Sequence, residues 1–148
     1  MTYYSQNDPR WNNVKIGKSN STLGSYGCTI DCIADGGSWF GEDIRPDVLA
    51  RKLDFMVDKV IWSSIGNVYK KMKFLWRFYD ANTKLIDEAL NDPRKVVMLN
   101  IQGGKHWVFG RFKIPFFGYM TQDPYPYPSK MRRVSVKEIV GGAILISK

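Results

Sequence analysis

At Pro93 the chain changes its hydrophobic period, and that change limits the folds open to it. Before Pro93, apolar residues recur at helical spacing in short blocks. After it they alternate or run on continuously, as strands do. Upstream, "CTIDCIADGGSWFG" opens helically at Cys28 and meets Gly36-Gly37, read as its stop. In "RPDVLARKLDFM", Pro46 suits a first turn, and Val48, Leu49, Leu53 and Met56 follow at helical spacing. "SSIGNVYKKM" and "NTKLIDEALND" read as two further short helices. The second is capped by Asn82 or Thr83 and carries Leu85, Ile86 and Leu90 on one face. Downstream, "KVVMLNI" (95–101), "KHWVFGRF" (105–112), "GYMTQD" (118–123) and the final "GAILISK" read as strands. "SVKEIVG" (135–141) reads as a helical turn capped by Ser135. Residues 1–27 read as an irregular arm with short strands. A helical half followed by an antiparallel sheet predicts an α+β fold with segregated elements. With no repeat, low-complexity stretch or linker, residues 1–148 are expected to form a single domain.

Composition restricts the setting. No apolar run approaches the ~20 residues of a membrane helix, so no membrane span is expected. "MTYYSQNDPRW" has neither a charged n-region nor an apolar h-region, so no signal peptide is expected either. The net charge of +8 suits a polyanionic partner such as nucleic acid, acidic lipid or an anionic cell wall, and suits mere solubility equally. Two cysteines do not make a disulfide framework, and a pair spaced four apart with one histidine in the chain is a poor match to zinc spacing. No metal or other cofactor is expected.

Both cysteines lie in "GSYGCTIDC" (24–32). Cys28 follows Gly24 and Gly27 and opens the helix, where N–H groups and the helix dipole favour an anion and a glycine allows close approach. It reads either as a nucleophile or as a buried structural cysteine. Cys32, one turn further in, reads as a small core residue. A disulfide between them is disfavoured, because a helix aligns their Cβ vectors poorly. His106, in "GGKHWVFGRF", is the single histidine, hence the one imidazole available as a base near neutral pH. Asp123, in "GYMTQDPYPYP", ends the next strand. An antiparallel hairpin over 105–123 turning between Ile114 and Pro115 would set Asp123 directly opposite His106, as an orienting group. Asp123 would also suit a plain turn before Pro124. Gln6, in "YYSQNDPRW", has an amide able to donate to an oxyanion, but nothing in the spacing places it near Cys28.

"YYSQNDPRWNNVKIGKSNSTLGSYGC", "KHWVFGRF" and "TQDPYPYP" together resemble the papain-like cysteine peptidases related to the bacteriocin-leader (double-glycine) peptidases, in particular a branch found in bacterial and phage proteins that includes phage lysins. The elements of the resemblance are Gln6, Asp8 and Trp11, then Gly27 and Cys28, then His106, then Asp123 and Pro124. It implies a papain-like fold, with the nucleophile heading a central helix packed on an antiparallel sheet that carries the other two groups. It implies Cys28 as nucleophile, His106 as base, Asp123 as orienter and Gln6 as oxyanion donor. Thr29 and Asp31 depart from the pattern, and the charge of Asp31 would oppose a thiolate.

On this reading the chain is a cysteine peptidase or amidase that cleaves an amide by acyl transfer. The absence of membrane spans argues against a transporter-borne leader peptidase. The positive charge suits an endolysin-like peptidoglycan hydrolase, made in the cytoplasm of a phage-infected bacterium and acting on the wall after release. Its partners would be peptidoglycan or a peptide substrate and an anionic wall surface. Trp11, Trp39, Trp62, Trp76 and Trp107 could line a groove or fill the core. Two rivals stand beside this reading. One is a catalytically inactive binding or virion-associated protein with the same fold. The other is a basic nucleic-acid-binding protein, suggested by the basic and aromatic mixture in "YKKMKFLWRF" (69–78).

Overall fold

The computed structural model describes residues 1–148. Its elements run in chain order as α1 (Leu23–Tyr26), α2 (Cys28–Trp39), α3 (Pro46–Lys52), the two-residue strands β1 (Phe55–Met56) and β2 (Lys59–Val60), and α4 (Ile65–Val68). These are followed by β3 (Met72–Phe78), α5 (Thr83–Leu90), β4 (Lys95–Ile101), β5 (His106–Ile114), β6 (Gly118–Asp123), β7 (Lys130–Val134) and β8 (Gly141–Ser147). Short 3-10 turns join them at Trp62–Ser64, Gln102–Gly104 and Val136–Glu138. Six strands form one antiparallel sheet in the order β3-β8-β4-β5-β6-β7, so the last strand enters between the first and second. No helix is long and apolar enough to cross a membrane.

The sheet is covered on both faces, which explains why β4 reads as an unbroken apolar run. Side chains alternate along a strand. Val96 and Met98 face the core beneath α2 with Ile30, Ile33, Phe109 and Leu145. Val97, Leu99 and Ile101 face the opposite core with Ile86 and Ala89 of α5, Tyr119 and Ile144. The fold is therefore α+β, with helices on both sides of an antiparallel sheet. Helix α5 starts where its cap places it: the Asn82 side chain accepts from Leu85 N–H at 3.1 Å.

Several local expectations need correction. Gly36-Gly37 does not stop α2, which runs through to Trp39. A Cβ on Gly36 would press on Met72, Val96 and Leu145, and one on Gly37 would enter the Tyr69 ring, so Gly36 lets the helix lie close on the sheet and Gly37 makes room for Tyr69. The stop is Gly41, at φ +80°, whose N–H bonds to Ser38 O at 3.0 Å. The helix at Pro46 ends at Lys52, and Met56 is an exposed residue of the β1–β2 hairpin. "YKKMKFLWRF" supplies the edge strand β3 instead of prolonging a helix. Its mixture of types reflects a strand whose alternation is broken by a bulge between Phe74 and Trp76, so that Met72 faces the α2 core and Phe78 the opposite one, while Lys73, Leu75 and Trp76 are exposed. The arm over 1–27 contains one isolated bridge, Lys15 to Thr22, and the short α1 in place of strands.

The β5–β6 hairpin turns through Pro115-Phe116-Phe117, with Ile114 paired to Gly118 and Phe116 at φ +68°. A bulge lies between Gly110 and Phe112. Past it, Gly110 pairs with Thr121 and Phe109 with Gln122. Continued to the start of β5, this register sets Tyr125, not Asp123, opposite His106. Asp123 is a diagonal neighbour two positions away and so on the same face. Without the bulge the register would be one residue out, and Asp123 would point to the other face.

Candidate active site

The site forms where α2 begins, β5 begins and β6 ends. Cys28 is the first residue of α2 and is buried, with its N-cap position taken by Gly27. A Cβ on Gly27 would run into the backbone of Leu23, so α1 and α2 can abut at this point only with glycine between them. His106 heads β5, immediately after the Gly103-Gly104 turn, in which both glycines have positive φ. Its Nε2–H donates to Asp123 Oδ1 at 2.7 Å, which leaves Nδ1 as the ring nitrogen available to Cys28. Two further donors hold the carboxylate and share its charge. Tyr125 N–H donates to Oδ1 at 2.9 Å and Arg132 Nη1 to Oδ2 at 3.3 Å, while the Tyr125 ring stands edge-on to the imidazole at 6.4 Å.

The electrostatics favour a charged imidazole. Burial acts against the cation, but the hydrogen bond to Asp123, then the nearby Cys28 sulfur, outweigh it and raise the His106 pKa to about 9. Burial likewise acts to raise the Asp123 pKa, and the bonds from His106, Tyr125 and Arg132 bring it below the ordinary carboxylate value.

Gln6 reaches the site because the arm is clasped to the loop after β6. Gln6 N–H donates to Pro124 O at 2.9 Å, and Ser5 Oγ to Pro126 O at 2.7 Å. Asn7 Nδ2 bonds to Tyr125 O. Trp11 anchors the turn from inside the core, with Nε1–H donating to Ser5 O at 2.8 Å, and Asp8 is tied to Arg10 at 2.8 Å. Gln6 Nε2 donates to Gly24 O at 3.0 Å. The reverse orientation would oppose two carbonyl oxygens, so the amide nitrogen is fixed on this side. An amide NH₂ carries two donors, and the second remains for a bound group.

Cys28, His106 and Gln6 open into one cleft of about 750 Å³, whose walls include Trp62, Trp107, Arg77, Tyr79 and Asn100. Asp123 stands behind His106. The tryptophans divide: Trp62 and Trp107 pack together at 5.5 Å in the cleft wall, Trp11 is core, and Trp39 and Trp76 are exposed outside it. Arg132 was missed in the sequence because the strand-like signal of β7, "KMRRV", is masked by its charge. Arg77 was missed because "YKKMKFLWRF" reads as a basic stretch and not as a strand with one face to a cleft.

From Cys28 on, α2 carries Cys28, Asp31, Cys32 and Asp35 at spacings of three, four and seven, on one buried face. Both cysteines are free thiols. Neither oxygen of Asp31 has a partner, and Asp35 accepts one bond, from Tyr4 N–H at 2.8 Å. Burial, then the neighbouring Asp35, Cys28 and Asp8, push the Asp31 pKa well above the ordinary range, and burial does the same for Asp35. Each stays protonated in the fold at pH values where it ionises in the unfolded chain. Stability should therefore decline as pH rises above the ordinary Asp value of about 4, until the folded-state values are passed. Asp31→Asn should flatten part of that decline, so that its thermal midpoint gains on the parent between pH 5 and pH 8. A constant difference across that range would refute the assignment.

Comparisons with protein-family models, with curated proteins and with solved structures find no match.

Proposed function

We propose that the protein is a cysteine hydrolase of papain-like type that cleaves an amide bond by acyl transfer, with peptidoglycan as the favoured substrate, in the manner of a phage endolysin. The observation that carries this is the 2.7 Å bond between His106 and Asp123, with Cys28 at a helix N-terminus on the other side of the same ring. In the reaction the Cys28 sulfur attacks the carbonyl carbon, and the spare N–H of Gln6 meets the developing oxyanion. His106, as imidazolium, gives its proton to the leaving amine and then takes one from the water that hydrolyses the thioester. Asp123 holds the ring in register and stabilises its cation. A chain of net charge +8 would be drawn to an anionic wall.

Purified peptidoglycan incubated with the protein and examined by mass spectrometry tests the substrate. New amine and carboxyl termini at one bond type support it, and an unchanged digest refutes it. The imidazolium should persist to about pH 9, so kcat/KM should fall above that value. Asp123→Asn should move this alkaline limb toward the ordinary histidine value of about 6.5 and lower the rate by roughly 10²–10⁴-fold. A limb unmoved by that substitution would remove Asp123 from the mechanism.

A second reading, a catalytically inactive binding protein, rests on Asp31: it lies unpartnered one turn from Cys28 and would oppose a thiolate at any pH where it ionised. Iodoacetamide labelling separates the two. An activated Cys28 reacts faster than a free thiol, and an inert one does not.

A further inference from the structure

The cleft contains a charge that no group in the protein neutralises. Arg77, on β3, lines it with its guanidinium 4.2 Å from the Tyr79 ring and 4.8 Å from the Trp107 ring. Its hydrogen bonds both use Nη1, to the carbonyls of Phe78 and Gly142, so Nε and Nη2 have no acceptor in the protein. None of the ion pairs in the structure includes Arg77. Burial lowers its pKa from the usual arginine value, the mark of a cation held partly out of water without a counter-ion. Lys59 and Lys105 line the same cleft. Asp58 is the one carboxylate in its lining, and it already accepts from Ser21 Oγ at 2.7 Å.

These features have one chemical complement. A guanidinium ordered by two aromatic faces and two carbonyls, with two parallel donors unused, matches a carboxylate in bidentate geometry. We infer that the Arg77 side of the cleft is a carboxylate subsite, so that the substrate is an acidic peptide whose carboxylate meets Arg77 while its scissile amide lies at Cys28. Asn100, buried in the same wall with no partner for Oδ1, supplies an acceptor for a peptide N–H. The lysines attract the substrate from a distance and lose that effect as salt is added, whereas the half-buried guanidinium keeps most of its effect. The placement of the amide rests on the hydrolase reading, but the binding of the anion does not.

The test therefore reads binding in the full-length Cys28→Ala protein by calorimetry at 150 mM salt. Its probes are the C-terminally amidated peptide L-Ala-γ-D-Glu-L-Lys-D-Ala and the same peptide with the D-Glu α-carboxylate also converted to an amide, so that one carboxylate alone distinguishes them. The acidic form should bind about tenfold more tightly or better. Adding Arg77→Met should reduce that preference to about threefold or less. Equal affinity for the two peptides, no binding of either, or a preference that survives Arg77→Met would each overturn the subsite. The comparison of the two peptides needs no Arg77 variant, so it stands even if Arg77→Met fails to fold. Absence of peptidoglycan cleavage by the parent protein, with the preference intact in Cys28→Ala, would instead count against the hydrolase reading alone.

Discussion

Cys28→Ala is expected to abolish amide hydrolysis and leave the protein folded. In the proposed mechanism the sulfur is the attacking atom beside the one imidazole in the chain, and no second thiol can substitute for it. Cys32 is wholly buried one turn deeper, and burial pushes its thiol pKa well up. In an acyl-transfer enzyme whose residues act as a unit, loss of the nucleophile costs about 10⁴-fold or more in kcat. The fold should tolerate the change. Alanine suits the first turn of a helix, the site is at the edge of the core, and no hydrogen bond that shapes the backbone is lost. The thermal midpoint should stay within a few degrees of the parent. Cys28→Ser should also be nearly inactive, because a hydroxyl beside His106 lacks the ready ionisation of a thiol. Peptidoglycan digestion followed by mass spectrometry reads the loss, and iodoacetamide mapping should find label on Cys28 and none on Cys32. Cleavage by Cys28→Ala within tenfold of the parent would refute the mechanism.

How much of this site was legible beforehand differs by residue. Cys28 and His106 could be singled out because each is marked locally, one by glycines ahead of a helix and the other as a lone imidazole on a strand. Asp123 could be put on the correct face, but for a reason that was only half right. A plain hairpin turning between Ile114 and Pro115 made it the direct partner of His106, whereas the actual turn centred on Phe116, combined with a bulge near Arg111, makes it a diagonal one, two positions away. A bulge leaves no clear composition signal, and here the error was even-numbered and so kept the face. The position of Gln6 was not legible at all. It depends on backbone bonds from residues 5–7 to residues 124–126, more than a hundred positions away, and no local period encodes such contacts. The same holds for β3. Its place beside β8, and hence the presence of Arg77 in the cleft wall, follows from a long crossover and not from its own composition. The helix–sheet layering was more accessible, since α5 and β4 declare themselves by cap and by apolar run. Gly36-Gly37 misled because glycine has two uses: it ends helices, and it lets them pack closely.

Trp11→Ala is expected to be the most damaging core substitution, and to reach the site as well. Trp11 is buried in the main core, packs at a tilt against Tyr4 with ring centroids 6.1 Å apart, and has the Arg10 guanidinium 4.5 Å from its ring. Removing a buried tryptophan costs roughly 3–5 kcal/mol through lost transfer energy and the cavity left behind. Against a total stability of about 5–15 kcal/mol, that is a large fraction, and for a chain of this length it amounts to a fall of about 10 °C or more in Tm. The indole also holds Ser5 O at 2.8 Å, in the turn from which Gln6 reaches Gly24 O. Loss of that anchor should loosen Gln6, so kcat should fall even where the variant remains folded, while peptide binding at the Arg77 side changes little. Trp11→Phe separates the two effects. It restores most of the apolar contact but not the N–H donor, so it should recover more than half of the stability and less of kcat. Urea denaturation and steady-state kinetics below the transition read both quantities. A Trp11→Ala protein within 1 kcal/mol of the parent would show that the arm is not held from the core. Equal recovery of stability and kcat in Trp11→Phe would show that the indole N–H plays no part in placing Gln6.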